Sequence, residues 1–184
     1  PVTLDRTTRL SIYSEAPDGS RSPEVSAVFH RMKDDMDITT YCEYNPQYNA
    51  RGPRGLIDGL RGSVNWKTGG WQGYQDTDFT AVVDLRGVRE VSTFGSGYCQ
   101  DARSWIWMPR YVEYSVSVDG ENFTSVGRVD NTVGEQDYTI RTRDFVLRLS
   151  EPVEARYVKV FAKNFGAIPS WHLGAGGEGF IFID

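Results

Sequence analysis

The chain has 184 residues, enough for one core of ordinary size with at most a small appendage. Aromatic residues are abundant, with five Trp, ten Tyr and nine Phe, a supply that favours strands and sugar-facing surfaces over helices. The formal net charge of −5 argues against a nucleic-acid footprint, which needs a basic face, and no apolar run is long enough to cross a bilayer.

The sequence opens at Pro1 rather than Met and reads as an excised fragment, so its start carries no information on export. "TTRLSIYS" alternates through Leu10 and Ile12, "APDGSRSP" supplies a turn, and "EVSAVF" alternates again. The pattern predicts a β-hairpin over residues 7–29. A lone hairpin is marginal in water, so this one reads as the end of a domain whose other strands are not in the sequence. The polar stretch "HRMKDDMD" has no period and reads as a linker, bounded at 33–40, with Asp34 and Asp35 merely solvated.

From Tyr41 a second unit begins. Strands are predicted at 79–85, 90–99, 111–120, 123–129, 138–149, 155–164 and 179–184, with turn chemistry such as "SVDGENF" between them. No segment has a helical apolar stripe, and the fold class is an all-β antiparallel sandwich or jelly roll. Cys42 and Cys99 each flank a strand-like run and read as buried free thiols in preference to a single bridge.

If the chain reverses at each connection, the short links after Leu85 and Val118 and at Glu151–Glu154 share one end of the sandwich. The long links 58–78, 100–109, 130–137 and 165–178 share the other, and they carry all five Trp and His172. Loops on a rigid scaffold are the usual seat of function. The last of them contains Gly174, Gly176 and Gly179 in G-x-G-x-x-G spacing. A dinucleotide loop must open a helix and lead to an acidic residue about 20 positions on, whereas here only "FIFID" follows, a strand. The glycines are better read as room for a tight turn beneath neighbouring loops, holding Trp171 and His172 at the rim.

These residues resemble a known family. "GLIDGLRGSVNWKTGGWQGYQDTDFTAVVDL", "VSTFGSGYCQDARSWIWMPRYVEYSVSVDGENF" and "ARYVKVFAKNFGAIPSWHLGAGGEGFIFID" resemble the discoidin or coagulation factor five/eight type C domain over about residues 41–184. Its sugar-binding members form carbohydrate-binding module family 32, with a galactose-binding-domain-like sandwich. The "W-H-x-G-A-G-G" variant is similar to the C-terminal module of Bacteroidetes chitobiases, family 20 β-N-acetylhexosaminidases. Residues 1–32 resemble the last strands of the immunoglobulin-like chitobiase C-terminal domain that precedes such modules.

The resemblance implies a non-catalytic carbohydrate-binding module of an exported glycosidase (periplasmic, outer-membrane-associated or extracellular). Its partners would be glycans containing GlcNAc, GalNAc or galactose, together with the absent catalytic domain, with no nucleic acid and no membrane insertion. An aromatic ring suits the apolar face of a pyranose while polar neighbours fix its hydroxyls. The candidate ligand-binding residues are Trp66, Lys67, Gln100, Asp101, Arg103, Trp105, Trp171 and His172, with Trp71 and Trp107 better suited to plugging the sandwich.

The stretch 56–63 resembles the family's "x-x-D-G-x-x-x-T" loop and implies one structural calcium ion, with Asp58 and Ser63 as ligands and Asp184 near the closing acidic position. Leu60 stands where relatives often have an acid, and the other reading of Asp58 is a turn residue bound to its own backbone. No serine elbow, zincin helix or phosphate loop is present, and nothing singles out a pair among Asp76, Asp78, Asp101 and Glu178, so no catalytic residue is assigned. Two other readings remain: an accessory domain that packs on its hydrolase without ligand, and an adhesion module using the apolar tip Trp105-Ile106-Trp107-Met108.

Overall fold

The structure, a computed structural model, describes residues 2–29 and 36–184. The expected N-terminal hairpin forms as β1 (Thr8–Ile12) and β2 (Val25–Phe29), antiparallel from Thr8 opposite Phe29 to Ile12 opposite Val25. The two strands make a sheet of their own. Most of their side chains are exposed, Ile12 and Val25 among them.

The remaining strands are β3 (Asp37–Thr40), β4 (Gln72–Gln75), β5 (Phe79–Gln100), β6 (Tyr111–Ser117), β7 (Thr124–Asp130), β8 (Arg141–Lys163) and β9 (Phe180–Ile183). All their pairings within the strand ladders are antiparallel, as the pattern predicts. The segments 79–85 and 90–99, read as two strands, are one, and so are most of 138–149 and 155–164. Strands β5 and β8 pair from end to end with two interruptions, from Phe79 opposite Ala162 to Gln100 opposite Arg141. The polar segments that read as turns are absorbed by register shifts between Asp84 and Arg89 and between Val91 and Thr93.

This long ladder is shared by two layers. The first half of β5 and the second half of β8 continue into β3 on one side and β6–β7 on the other. The second half of β5 continues into β9 and β4. Both halves feed one core: Phe79, Ala81, Phe94, Tyr98, Phe145, Ala155 and Ala162 belong to one buried cluster, so the ladder doubles over on itself. Burying each of the larger apolar side chains contributes about 1.5–3 kcal/mol. The core tyrosines keep their hydroxyls bonded: Tyr114 donates to the Phe145 carbonyl at 2.6 Å, and Tyr98 accepts from the Ser96 hydroxyl at 3.1 Å.

Two boundaries differ from expectation. Residues 37–40 of the expected linker are β3, drawn in because Ile38 packs on the core while Asp37 pairs with Arg54 and Arg86. The rest of that polar stretch, residues 30–35, lies outside the described residues. Strand β4 arises in a stretch read as loop, where the glycine and glutamine of "QGYQ" hide a strand that buries Tyr74. Gly73 allows close approach there, since a β-carbon would sit 2.7 Å from the Phe182 ring.

The register fixes which loops meet. Arg89 lies opposite Ala155 and Ser117 opposite Tyr157, which groups the short links at one end. Tyr111 opposite Lys163, Gln100 opposite Arg141 and Cys99 opposite Phe182 group the long Trp-bearing loops at the other. Cys42 and Cys99 are free thiols.

Candidate functional site

At the long-loop end the chain leaves β5 through a single 3-10 turn, Ala102–Ser104, and Trp105 closes it. Trp105 adopts φ 67° and ψ 23°, a left-handed conformation that bulky residues rarely enter. The surroundings hold it there. Its N–H donates to the Ala102 carbonyl at 3.0 Å, its carbonyl accepts from Phe180 N–H at 2.8 Å, and Asp101 and Ile106 exchange both backbone hydrogen bonds. The indole stays 41% exposed, packed against Gly174, where a β-carbon would come within 2.5 Å of Nε1.

A stack of side chains lines the same cleft as this ring. The Arg103 guanidinium lies 5.1 Å over the Tyr138 ring, and Tyr138 lies nearly parallel to His172, 17° apart with centroids at 6.2 Å. His172 is buried and accepts a hydrogen bond at Nδ1 from Gly174 N–H at 3.0 Å, which in the neutral ring places the proton on Nε2. Arg103, Trp105, Tyr138, His172 and Leu173 line an open cleft of about 370 Å³. Trp171 stands beside it at 38% exposure, its Nε1 donating to Glu135 Oε1 at 3.2 Å and its ring set edge-on to Tyr138.

The other candidates gather around a separate cleft of about 350 Å³, lined by Trp66, Lys67, Asp101 and Ile140 among others. Trp66 Nε1 donates to Asp101 Oδ2 at 3.1 Å, and Ser104 Oγ donates to the same oxygen at 2.7 Å. Asp101 thereby ties two loops together, with Oδ1 buried and unpartnered. Lys67 Nζ lies 5.4 Å over the Trp66 ring. Gln100 lines neither cleft; its buried amide donates to the Asp137 carbonyl at 2.8 Å. Trp71 and Trp107 are core plugs. Trp71 Nε1 donates to the Ser63 carbonyl, and Trp107 stacks on Phe165 at 4.7 Å and 12°.

Tyr138 is the residue that sequence reasoning missed, because the alternation of "YTIRTR" extends the predicted strand back over it. Asp137 prevents that by accepting from Thr139 N–H at 2.9 Å, an Asx turn that delays β8 until Arg141 and leaves Tyr138 in the loop.

Residues 37–175 match the F5/8 type C domain. The chain belongs to that family. Among solved structures, this F5/8 type C domain is similar to a family 32 carbohydrate-binding module from Clostridium perfringens in complex with GalNAc-β-1,3-galactose. That match has 18% identity and a TM-score of 0.47, over 80% of this chain and 94% of the other. A second C. perfringens family 32 module, in complex with galactose, matches at 16% identity and TM-score 0.43 over 80% and 91%. The C-terminal domain of a chitobiase from Bacteroides fragilis matches at 18% identity and TM-score 0.43 over 83% and 94%. No curated protein is similar enough to the chain to count as a relative.

The side chains of this F5/8 type C domain that the resemblance assigned to calcium are each engaged by protein partners. Asp58 accepts from Arg51 on both oxygens and from Leu60 N–H at 2.8 Å, which is the turn geometry. Ser63 Oγ is engaged with the Asn65 carbonyl and the Thr68 hydroxyl. Asp184 accepts from Gly62 N–H, and its burial raises the carboxyl above its ordinary value. Among the described residues no three His, Cys, Asp or Glu side chains are grouped to hold a metal ion.

Proposed function

We propose that the F5/8 type C domain is a non-catalytic carbohydrate-binding module whose sugar lies in the Trp105–His172 cleft. The observation that carries this reading is Trp105: a large ring held in a strained backbone conformation, 41% exposed, lining one cleft with a guanidinium and an imidazole. Such strain costs about 1–3 kcal/mol and persists where the surroundings over-determine it, which points to use. The exposed indole suits the C–H face of a pyranose, and Nε2–H of His172 and the Arg103 guanidinium can donate to its hydroxyls.

We take galactose, GalNAc and GlcNAc glycans as the ligand class and an exported β-N-acetylhexosaminidase as the parent enzyme. The N-terminal hairpin is then the end of a preceding immunoglobulin-like domain. The GalNAc-β-1,3-galactose and galactose seen in the two C. perfringens modules support the choice of sugars to try first. Tethered beside a catalytic domain, even weak binding raises the local substrate concentration. A role in packing alone accounts for Trp71 and Trp107 but leaves Trp105 unexplained. The apolar-tip reading loses three of its four residues, since Ile106, Trp107 and Met108 are buried.

Titration of the chain with galactose, GalNAc and GlcNAc, followed by Trp indole resonances, is expected to shift Trp105 and Trp171 with Kd of about 10⁻⁴ to 10⁻³ M, or roughly 4–5.5 kcal/mol. Silence with these sugars and on a broad glycan array sinks the proposal.

A further inference from the structure

The disagreement at the expected calcium loop has a physical cause. Arg51 Nε donates to Asp58 Oδ2 at 2.6 Å, and Nη2 donates to Asp58 Oδ1 at 3.2 Å and to the Leu60 carbonyl at 3.2 Å. A carboxylate and a main-chain carbonyl from one loop are oxygens of the kind that calcium gathers. Here they converge on a guanidinium, whose planar fork meets a carboxylate through two parallel bonds.

The backbone is arranged to deliver that side chain. Ala50, Arg51 and Gly52 are successive left-handed residues, at φ 40°, 69° and 98°. Asn49 steadies the reversal, its Oδ1 accepting from Arg51 N–H at 3.2 Å and its carbonyl from Gly52 N–H at 2.8 Å. The Gly52 carbonyl in turn accepts from Gln72, a fully buried amide, at 2.9 Å. Gly55 has no room for a side chain, because a β-carbon would overlap the Ala50 carbonyl oxygen.

We infer that the guanidinium of Arg51 is the built-in cation of the 51–63 loop, and that this domain folds without calcium. Both oxygens of Asp58 are taken up by that guanidinium. A divalent ion at the same oxygens would have to displace it.

The test is a thermal melt of the chain in EDTA and in millimolar CaCl2, with a calorimetric CaCl2 titration alongside. Superimposable melts and no binding heat are expected. A specific site would instead raise Tm by about 5–10 °C at a hundredfold excess over Kd, and that result overturns the inference. Arg51→Met keeps the aliphatic stem and removes the charge. It is expected to melt lower than the parent, with Arg51→Lys recovering part of the loss; an Arg51→Met chain as stable as the parent also overturns it. Sugar binding is read separately, so failure here leaves the proposed glycan site standing.

Discussion

Gly174 lies close against the indole of Trp105: a β-carbon at that position would approach Nε1 to 2.5 Å and Cε2 to 2.6 Å. The obstacle is a side chain already 41% exposed, so it can swing outward instead of breaking the core. Gly174→Ala is therefore expected to keep the melting temperature within a few degrees of the parent while moving the ring off the cleft. Its sugar affinity should fall at least as far as its stability permits the indole to move, with a changed Trp105 resonance in the free protein. A variant with unaltered affinity and an unaltered indole signal contradicts the packing described.

Two tryptophans two residues apart should respond in opposite ways. Trp105→Ala removes a half-exposed ring and is expected to cost about 1 kcal/mol or less in stability while abolishing sugar binding. Trp107 is 2% exposed and stacked on Phe165, so Trp107→Ala should cost about 3–5 kcal/mol. Denaturant melts with parallel sugar titrations check both. Loss of stability in Trp105→Ala with no binding to lose in the parent would favour a packing role for the whole loop end.

The sequence carried the strand pattern and, through strand parity, the gathering of the five tryptophans at one end. It did not carry which of them face solvent. Trp71 is buried because Cys99, Ile106 and Phe182 close around it, and the last of these is more than a hundred residues away along the chain. Nor did it show that β5 and β8 run unbroken through "RGVRE" and "SEPVE". Those polar segments have the composition of turns, and only the facing register shifts reveal a continuous, bent ladder. Residues Asp58 and Ser63 were legible as a loop motif, but the guanidinium that pairs with Asp58 belongs to Arg51, seven positions upstream and outside the motif.

The turn between β6 and β7 makes a pH-dependent contribution whose sign is fixed. Asp119 accepts from Asn122 Nδ2 and N–H, Ser117 Oγ and Glu121 N–H, and these bonds hold its carboxyl well below the ordinary value of 3.8. A lowered folded value means stability that is fully present above the ordinary value and is lost as pH falls through the folded one. Asp119→Ala is expected to melt below the parent at neutral pH, with the gap narrowing as the buffer is made strongly acidic. Melts across an acid series decide the matter, and a gap independent of pH contradicts the assignment.

The two cysteines give a prediction about chemistry. Cys99 is completely buried against Trp71, Ile106 and Phe182, and burial, with a smaller push from the Asp101 charge, lifts its thiol to about 12. Cys42 is partly buried, its thiol donating to the Thr80 carbonyl at 3.8 Å, and burial raises it too. Because the thiolate is the reactive form, neither should react quickly in the native domain. Native alkylation near neutral pH is expected to leave Cys99 unmodified and to label Cys42 only slowly, whereas denaturant should release two titratable thiols without reductant. The absence of any titratable thiol after unfolding would mean that Cys42 and Cys99 form an oxidised pair and that β5 does not present Cys99 to the Trp71 cluster.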